Sequence, residues 1–192
     1  DRMTMTLKER LLSIILADAY REGEFTLRSG QKSDYYIDLR VVALSPEGVT
    51  LMADALLDEL AGSEASAVGG PTVSSVPILG AIAVRAYQRG LPLTTFFVRD
   101  TEKGHGTGRR VEGPMLQPGE KVAVIDDVVS TGGGVRTAIA GTEWVGAEVV
   151  DVLFVVDREM GGAQELRDAG YRVTSLFTVT ELRAARAAQR RE

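Results

Sequence analysis

Two adjacent carboxylates, Asp126 and Asp127, follow an apolar run and precede a hydroxyl pair and three glycines, in the stretch KVAVIDDVVSTGGG at residues 121–134. Val122 to Ile125 form an uninterrupted apolar run, as a parallel strand covered on both faces requires. The acids come where that strand leaves the sheet, and in open α/β sheets ligands sit beyond the carboxyl ends of the strands. Val128 and Val129 lead on to Ser130, Thr131, Gly132, Gly133 and Gly134, residues small enough for successive backbone N–H groups to share one phosphate-sized concavity. Val135, Ala138, Ile139 and Val145 recur at helical spacing, with Trp144 alongside, so the turn should open a helix whose N-terminus reinforces anion binding. The chemistry on offer is carboxylates for sugar hydroxyls and amides for a phosphate. An ordinary strand-turn-helix connection has a similar composition, but the order of strand, acids, hydroxyls and glycines weighs against it. The turn is neither a P-loop, which closes on Lys-Ser/Thr, nor a G-x-G-x-x-G dinucleotide turn.

Two further places carry chemistry. Residues 99–113, RDTEKGHGTGRRVEG, are rich in glycine and basic side chains. Residues 99–110 carry a formal charge of +2 within a chain of net charge −5. A solvated surface loop and a mobile basic lid over an anionic ligand both fit this composition. Arg158, in the segment DREMGG, could form a surface ion pair with Asp157 or Glu159, or grip a carboxylate with its planar fork.

These groups need a framework, and 192 residues suit one compact unit with a sizeable core. With no cysteine and His105 as the sole histidine, disulfides and thiolate or histidine-cluster metal sites are excluded. The net charge argues against a general nucleic-acid binder. No apolar run approaches the roughly 20 residues of a membrane span, and residues 1–6 show no targeting pattern, so a cytoplasmic chain is expected. Leu7, Leu11, Leu12, Ile14, Ile15 and Ala19 predict a helix over 6–21, capped by Thr6 and ended by Gly23. Residues 25–39 predict two short strands around Ser29-Gly30-Gln31-Lys32. Pro46 opens a helix to Leu60. Strands follow at 65–68, 93–98, 149–156 and 171–177, with helices at 77–89, 163–169 and from Thr180. That alternation predicts a parallel sheet with right-handed crossovers.

VAVIDDVVSTGGG resembles the phosphoribosyl-pyrophosphate (PRPP) signature of type I phosphoribosyltransferases. FTLRSGQKSDYYID, KGHG and DREMGG resemble, in order, the N-terminal segment, the catalytic loop and the carboxylate-binding segment of orotate phosphoribosyltransferases. The resemblance spans residues 25–162 and implies an α/β, type I phosphoribosyltransferase-like fold: a central mostly parallel sheet flanked by helices, with a small N-terminal hood from residues 1–64 over a core of 65–192. It implies transfer of the 5-phosphoribosyl group from PRPP to orotate, with Mg²⁺ bound mainly through PRPP and no dedicated protein metal site. Carried over, Lys103, Asp126 and Asp127 are catalytic. Arg28, Tyr36, Ile37, Arg99, His105, Val128 to Gly134 and Arg158 bind substrate, the last taking the orotate carboxylate. It further implies a homodimer in which the 99–110 loop completes the neighbouring site. Asp100 and Ser74 stand where many members have lysine, and Arg28 where they have lysine too. A phosphoribosyltransferase for another base and a PRPP-binding regulator remain alternatives.

Overall fold

The computed structural model describes residues 5–26, 30, 32–100 and 110–191. Helix α1 (Leu7–Ile14) begins in a capping box: Thr6 Oγ1 accepts from Glu9 N at 3.2 Å, and Thr6 N donates to the Glu9 carboxylate at 2.7 Å. It continues into a π-helical turn (Ile15–Ala19) and then directly into strand β1 (Tyr20–Thr26). The helix therefore stops before Arg21, and Gly23 does not end it. Gly23 instead lies inside β1, with φ +154°, where the pairing with β2 (Lys32–Ile37) shifts register between Glu22 and Phe25. A glycine in a bulged strand and one after a helix leave the same local mark.

Helix α2 (Arg40–Ala43) is a single turn that the sequence pattern does not announce. Helix α3 (Pro46–Glu59) starts as expected, with Pro46 in its first turn and the Ser45 hydroxyl accepting from Gly48 N at 3.2 Å, a cap worth about 1 kcal/mol. Strand β3 (Ala67–Gly69) leads through the Gly70–Ser75 turn to α4 (Val76–Gln88). The expected strand at 93–98 is broken into β4 (Thr94–Thr95) and β5 (Phe97–Val98), the latter pairing antiparallel with β6 (Val111–Glu112). Phe96 sits at the break, only 2% exposed, and its ring fills the space where any side chain on Gly69 would be. Strand β7 (Lys121–Val129), α5 (Gly133–Trp144), β8 (Glu148–Asp157), α6 (Gly162–Asp168), β9 (Arg172–Thr178) and α7 (Val179–Gln189) complete the described chain.

Among the described residues, five strands form one all-parallel sheet in the order β4-β3-β7-β8-β9. Its two faces are both buried, as the apolar run in β7 predicts. Ala123 and Ile125 enter a core shared with α1, α3, α4 and α7, while Val122 and Val124 enter another shared with α5 and α6. The first core runs without interruption from α1 and α3 into the sheet. Strand order reverses between β3 and β7, which makes the carboxyl ends of these two strands the natural place for a ligand. None of the described helices is long and apolar enough to cross a membrane.

Candidate active site

At the carboxyl end of β7 the acids lie inside the strand rather than just beyond it, because pairing with β8 continues through Val128 with Val156 and Val129 with Asp157. Asp126 is 8% exposed. Its Oδ1 accepts from the Ser74 hydroxyl at 2.7 Å and from Asp127 N at 2.9 Å. The Ser74 bond spans the reversal point and ties the β3 turn to β7. Asp127 is half-buried, and its carboxylate accepts from Val128 N at 2.7 Å. Burial raises the proton affinity of both groups, and the neighbouring charge of Asp127 adds to it at Asp126, whose pKa is pushed up to about 8. The positive charge of Arg40 works against this at Asp127. Arg40 itself is fixed by a two-point pair with Asp38, each contact 2.8 Å.

Beyond the acids, Ser130 to Gly134 wrap a cleft of about 300 Å³ that also takes in Asp126, Val128 and Val129. Gly132 adopts φ +80°, a left-handed conformation that suits glycine, and turns the chain into the N-terminus of α5. The twelve residues of α5 end the cleft with unpaired N–H groups and a positive dipole end. Gly162 packs directly against the backbone of this loop. A Cβ there would lie 2.6 Å from Gly132 N, Ser130 O and Thr131 C, so α6 can approach the loop this closely only through glycine. Arg136 braces the side, pairing with Glu165 at 2.7 Å and donating to Thr131 O at 2.5 Å.

A second cleft, about 830 Å³, is lined by residues that include Tyr35, Arg158, Met160 and Arg183. Arg158 follows β8, where its N–H bonds to Val129 O at 2.9 Å. Its Nε donates to the Tyr35 hydroxyl at 2.8 Å and its Nη1 to Ser130 Oγ at 3.3 Å. The alternative reading of Arg158, a surface ion pair with Asp157 or Glu159, is not what the structure shows. Asp157 accepts from Glu159 N at 2.7 Å, and the Glu159 carboxylate accepts from Thr180 N and Oγ1 at 3.0 and 2.5 Å. Among the described residues the partners of Arg158 are all neutral, which leaves its charge for an anion.

The structure thus places Asp126 and residues 128–134 around one cleft and Arg158 in another, with the Arg158–Ser130 hydrogen bond between them and Asp127 next to Asp126 in β7. Arg99 stands at the root of the β5–β6 hairpin, its N–H bonded to Arg110 O at 2.9 Å and its guanidinium 3.6 Å from Glu112. Tyr36 is 40% exposed and rests on Phe25, with ring centroids 5.7 Å apart, while half-buried Ile37 packs at the edge of the first core. Arg28, Lys103 and His105 lie outside the described residues. Sequence reasoning missed Tyr35, Arg40, Gly162 and the bond made by Ser74. For Tyr35 the available signal was strand alternation, which sets it on the opposite face from Tyr36 and buries it.

No family model matches the chain. It is 40% identical over 184 residues to the orotate phosphoribosyltransferase of Thermosynechococcus vestitus, covering 96% of this chain and 97% of that protein. A crystal structure of Mycobacterium tuberculosis orotate phosphoribosyltransferase in complex with Fe(III) dicitrate superposes with a TM-score of 0.81 at 33% identity, over 92% of this chain and 99% of the other. A structure of that enzyme in complex with PRPP gives a TM-score of 0.77 at 29% identity, with the same two coverages.

Proposed function

The chain belongs to the orotate phosphoribosyltransferase family, and from that premise we propose how its residues divide the reaction. The enzyme transfers the 5-phosphoribosyl group of PRPP to N1 of orotate, giving orotidine 5′-monophosphate and diphosphate in pyrimidine nucleotide biosynthesis. The observation that carries the assignment of roles is the hydrogen bond from Arg158 to Ser130. It links a cleft holding a guanidinium whose partners are all neutral to one lined by Asp126 and a glycine-rich helix start.

In this reading the amides of residues 130–134 and the start of α5 hold the 5′-phosphate. Asp126 and Asp127 accept from the ribose hydroxyls, and the negative charge that the pair carries opposes the positive charge that develops on the ring as diphosphate leaves. Arg158 takes the orotate carboxylate end-on, with Ser130 beside the base. The cations for the departing diphosphate are Arg99 at the hairpin root together with Arg28, Lys103 and His105. Ser74 does not replace the charge of a lysine; its hydroxyl serves Asp126 instead.

Magnesium fits this donor set. Mg²⁺ keeps several waters and binds through substrate phosphates with one or two carboxylates, and the described residues offer one oxygen-bearing acid pair with no cluster of three ligating side chains. When bound with PRPP it would neutralise diphosphate charge, and Asp126 and Asp127 are the carboxylates that could help to hold it.

The enzyme acts as a homodimer in the cytoplasm. Support for the dimer comes from α4, where Val76, Val84 and Tyr87 fall on one helical face and are 37%, 56% and 86% exposed, with Val73 beside them in the turn above. Loss of orotate absorbance in the presence of PRPP and Mg²⁺ tests the reaction. Turnover that depends on both substrates is expected, and intact PRPP binding by calorimetry without turnover would overturn the assignment.

A further inference from the structure

We propose that Tyr35 is a positioning residue for orotate recognition, acting through Arg158; the proposal rests on the reading of Arg158 as the carboxylate-binding group. Tyr35 is 7% exposed and held from below by Tyr20, with ring centroids 6.0 Å apart. It meets Arg158 in two ways. The hydroxyl accepts from Nε at 2.8 Å, and the guanidinium carbon stands 5.1 Å from the ring centroid.

This contact decides which edge of the guanidinium is free. Arginine can grip a carboxylate side-on, through Nε and one Nη, or end-on, through both Nη atoms. With Nε committed to Tyr35 and one Nη1 hydrogen to Ser130, the Nη1–Nη2 end is left for the ligand. Tyr35 therefore fixes both the tilt of the fork and the direction from which a carboxylate must arrive. It also removes rotamer freedom that a long side chain would otherwise lose on binding.

The charges around the ring agree with this role. Arg183 of α7 also stands 5.1 Å from the Tyr35 centroid and holds Asp34 in a two-point pair at 2.7 and 2.8 Å. Asp34 and Glu159 are two of the three acids lining the cleft, and each is committed elsewhere, to Arg183 and Thr180. Arg158 keeps its charge for the substrate because its own partners, Tyr35 and Ser130, are neutral.

Steady-state kinetics of Tyr35→Phe, Arg158→Lys and the double variant test the proposal. Phenylalanine keeps the ring and removes only the acceptor. Tyr35→Phe should raise the KM for orotate roughly tenfold while the KM for PRPP and kcat stay within about twofold, and it should add little in the Arg158→Lys background. An unchanged PRPP KM also shows that the variant is folded. If Arg158→Lys weakens orotate binding and Tyr35→Phe does not, the role of Tyr35 is refuted while that of Arg158 stands. If neither matters in an active enzyme, both assignments fall. Additive losses in the double variant would likewise overturn it, because a residue that works through Arg158 loses its effect when Arg158 is changed.

Discussion

Asp126 shows how far one residue's behaviour departs from its type. In the unfolded chain it titrates near 3.8, and in the folded protein burial and the charge of Asp127 push it to about 8. The folded state therefore binds this proton more tightly, and between those two values it holds a proton that the unfolded state has released. Stability from this group is full below pH 4, falls as pH rises toward 8 and is constant above, at a slope of up to about 1.4 kcal/mol per pH unit. Asp126→Asn removes the titration while leaving an acceptor for Ser74. Its melting temperature should match the wild type at pH 4 and exceed it at pH 9, with activity greatly reduced; parallel melting curves across that range would contradict the account. The acid pair was legible because its residues adjoin in sequence. Tyr35 was not, since its partner lies 123 residues away and nothing local marks the pairing.

At the scale of elements, what could be read was whatever repeats along the chain. The apolar run of β7, the Thr6 cap, Pro46 and the glycine turn before α5 each leave a contiguous pattern, and β7 and the starts of α1, α3 and α5 stand where that pattern puts them. What could not be read depends on a distant neighbour. The break between β4 and β5 exists because Phe96 turns into the space over Gly69, and Gly162 is needed because α6 abuts the Ser130–Gly132 backbone. The latter contact makes α6 a support for the phosphate loop. Gly162→Ala would press a methyl group against three backbone atoms at 2.6 Å, none of which can swing aside as a side chain could. The loop should shift, raising the KM for PRPP by roughly ten- to a hundredfold, with a stability loss of about 1–3 kcal/mol in urea titrations. A variant with wild-type PRPP kinetics would show that the loop tolerates displacement and that its shape is not set from below.

The whole molecule raises the question of how a site with acids at one end obtains enough cations at the other. Within the described part of a single chain, the loop cations Arg99 and Arg110 stand together at the hairpin root, and Arg99 lies 3.6 Å from Glu112. The apolar stripe of α4 begins at Val76, beside Val73 and the β3 turn at the strand-order reversal, and runs away from that end along the helix to Val84 and Tyr87. In the proposed homodimer this stripe would meet its own copy across a two-fold axis, and the 99–110 loop of one subunit would complete the site of the other. Burying Val84 and Tyr87 in such an interface is favourable by about 1.5–3 kcal/mol for each large side chain. Val84→Arg should therefore give a monomer by sedimentation velocity and, because the shared loop is withdrawn, lose most activity without unfolding. Hybrid complementation separates sharing from simple destabilisation. Lys103→Ala and Asp127→Asn chains are each inactive alone, but in a mixed dimer with shared loops one site collects both lesions and the other none. Equal mixing should then restore about a quarter of wild-type activity. Failure to recover activity, with hybrids confirmed by native mass spectrometry, would mean that each chain closes its own loop over its own acids.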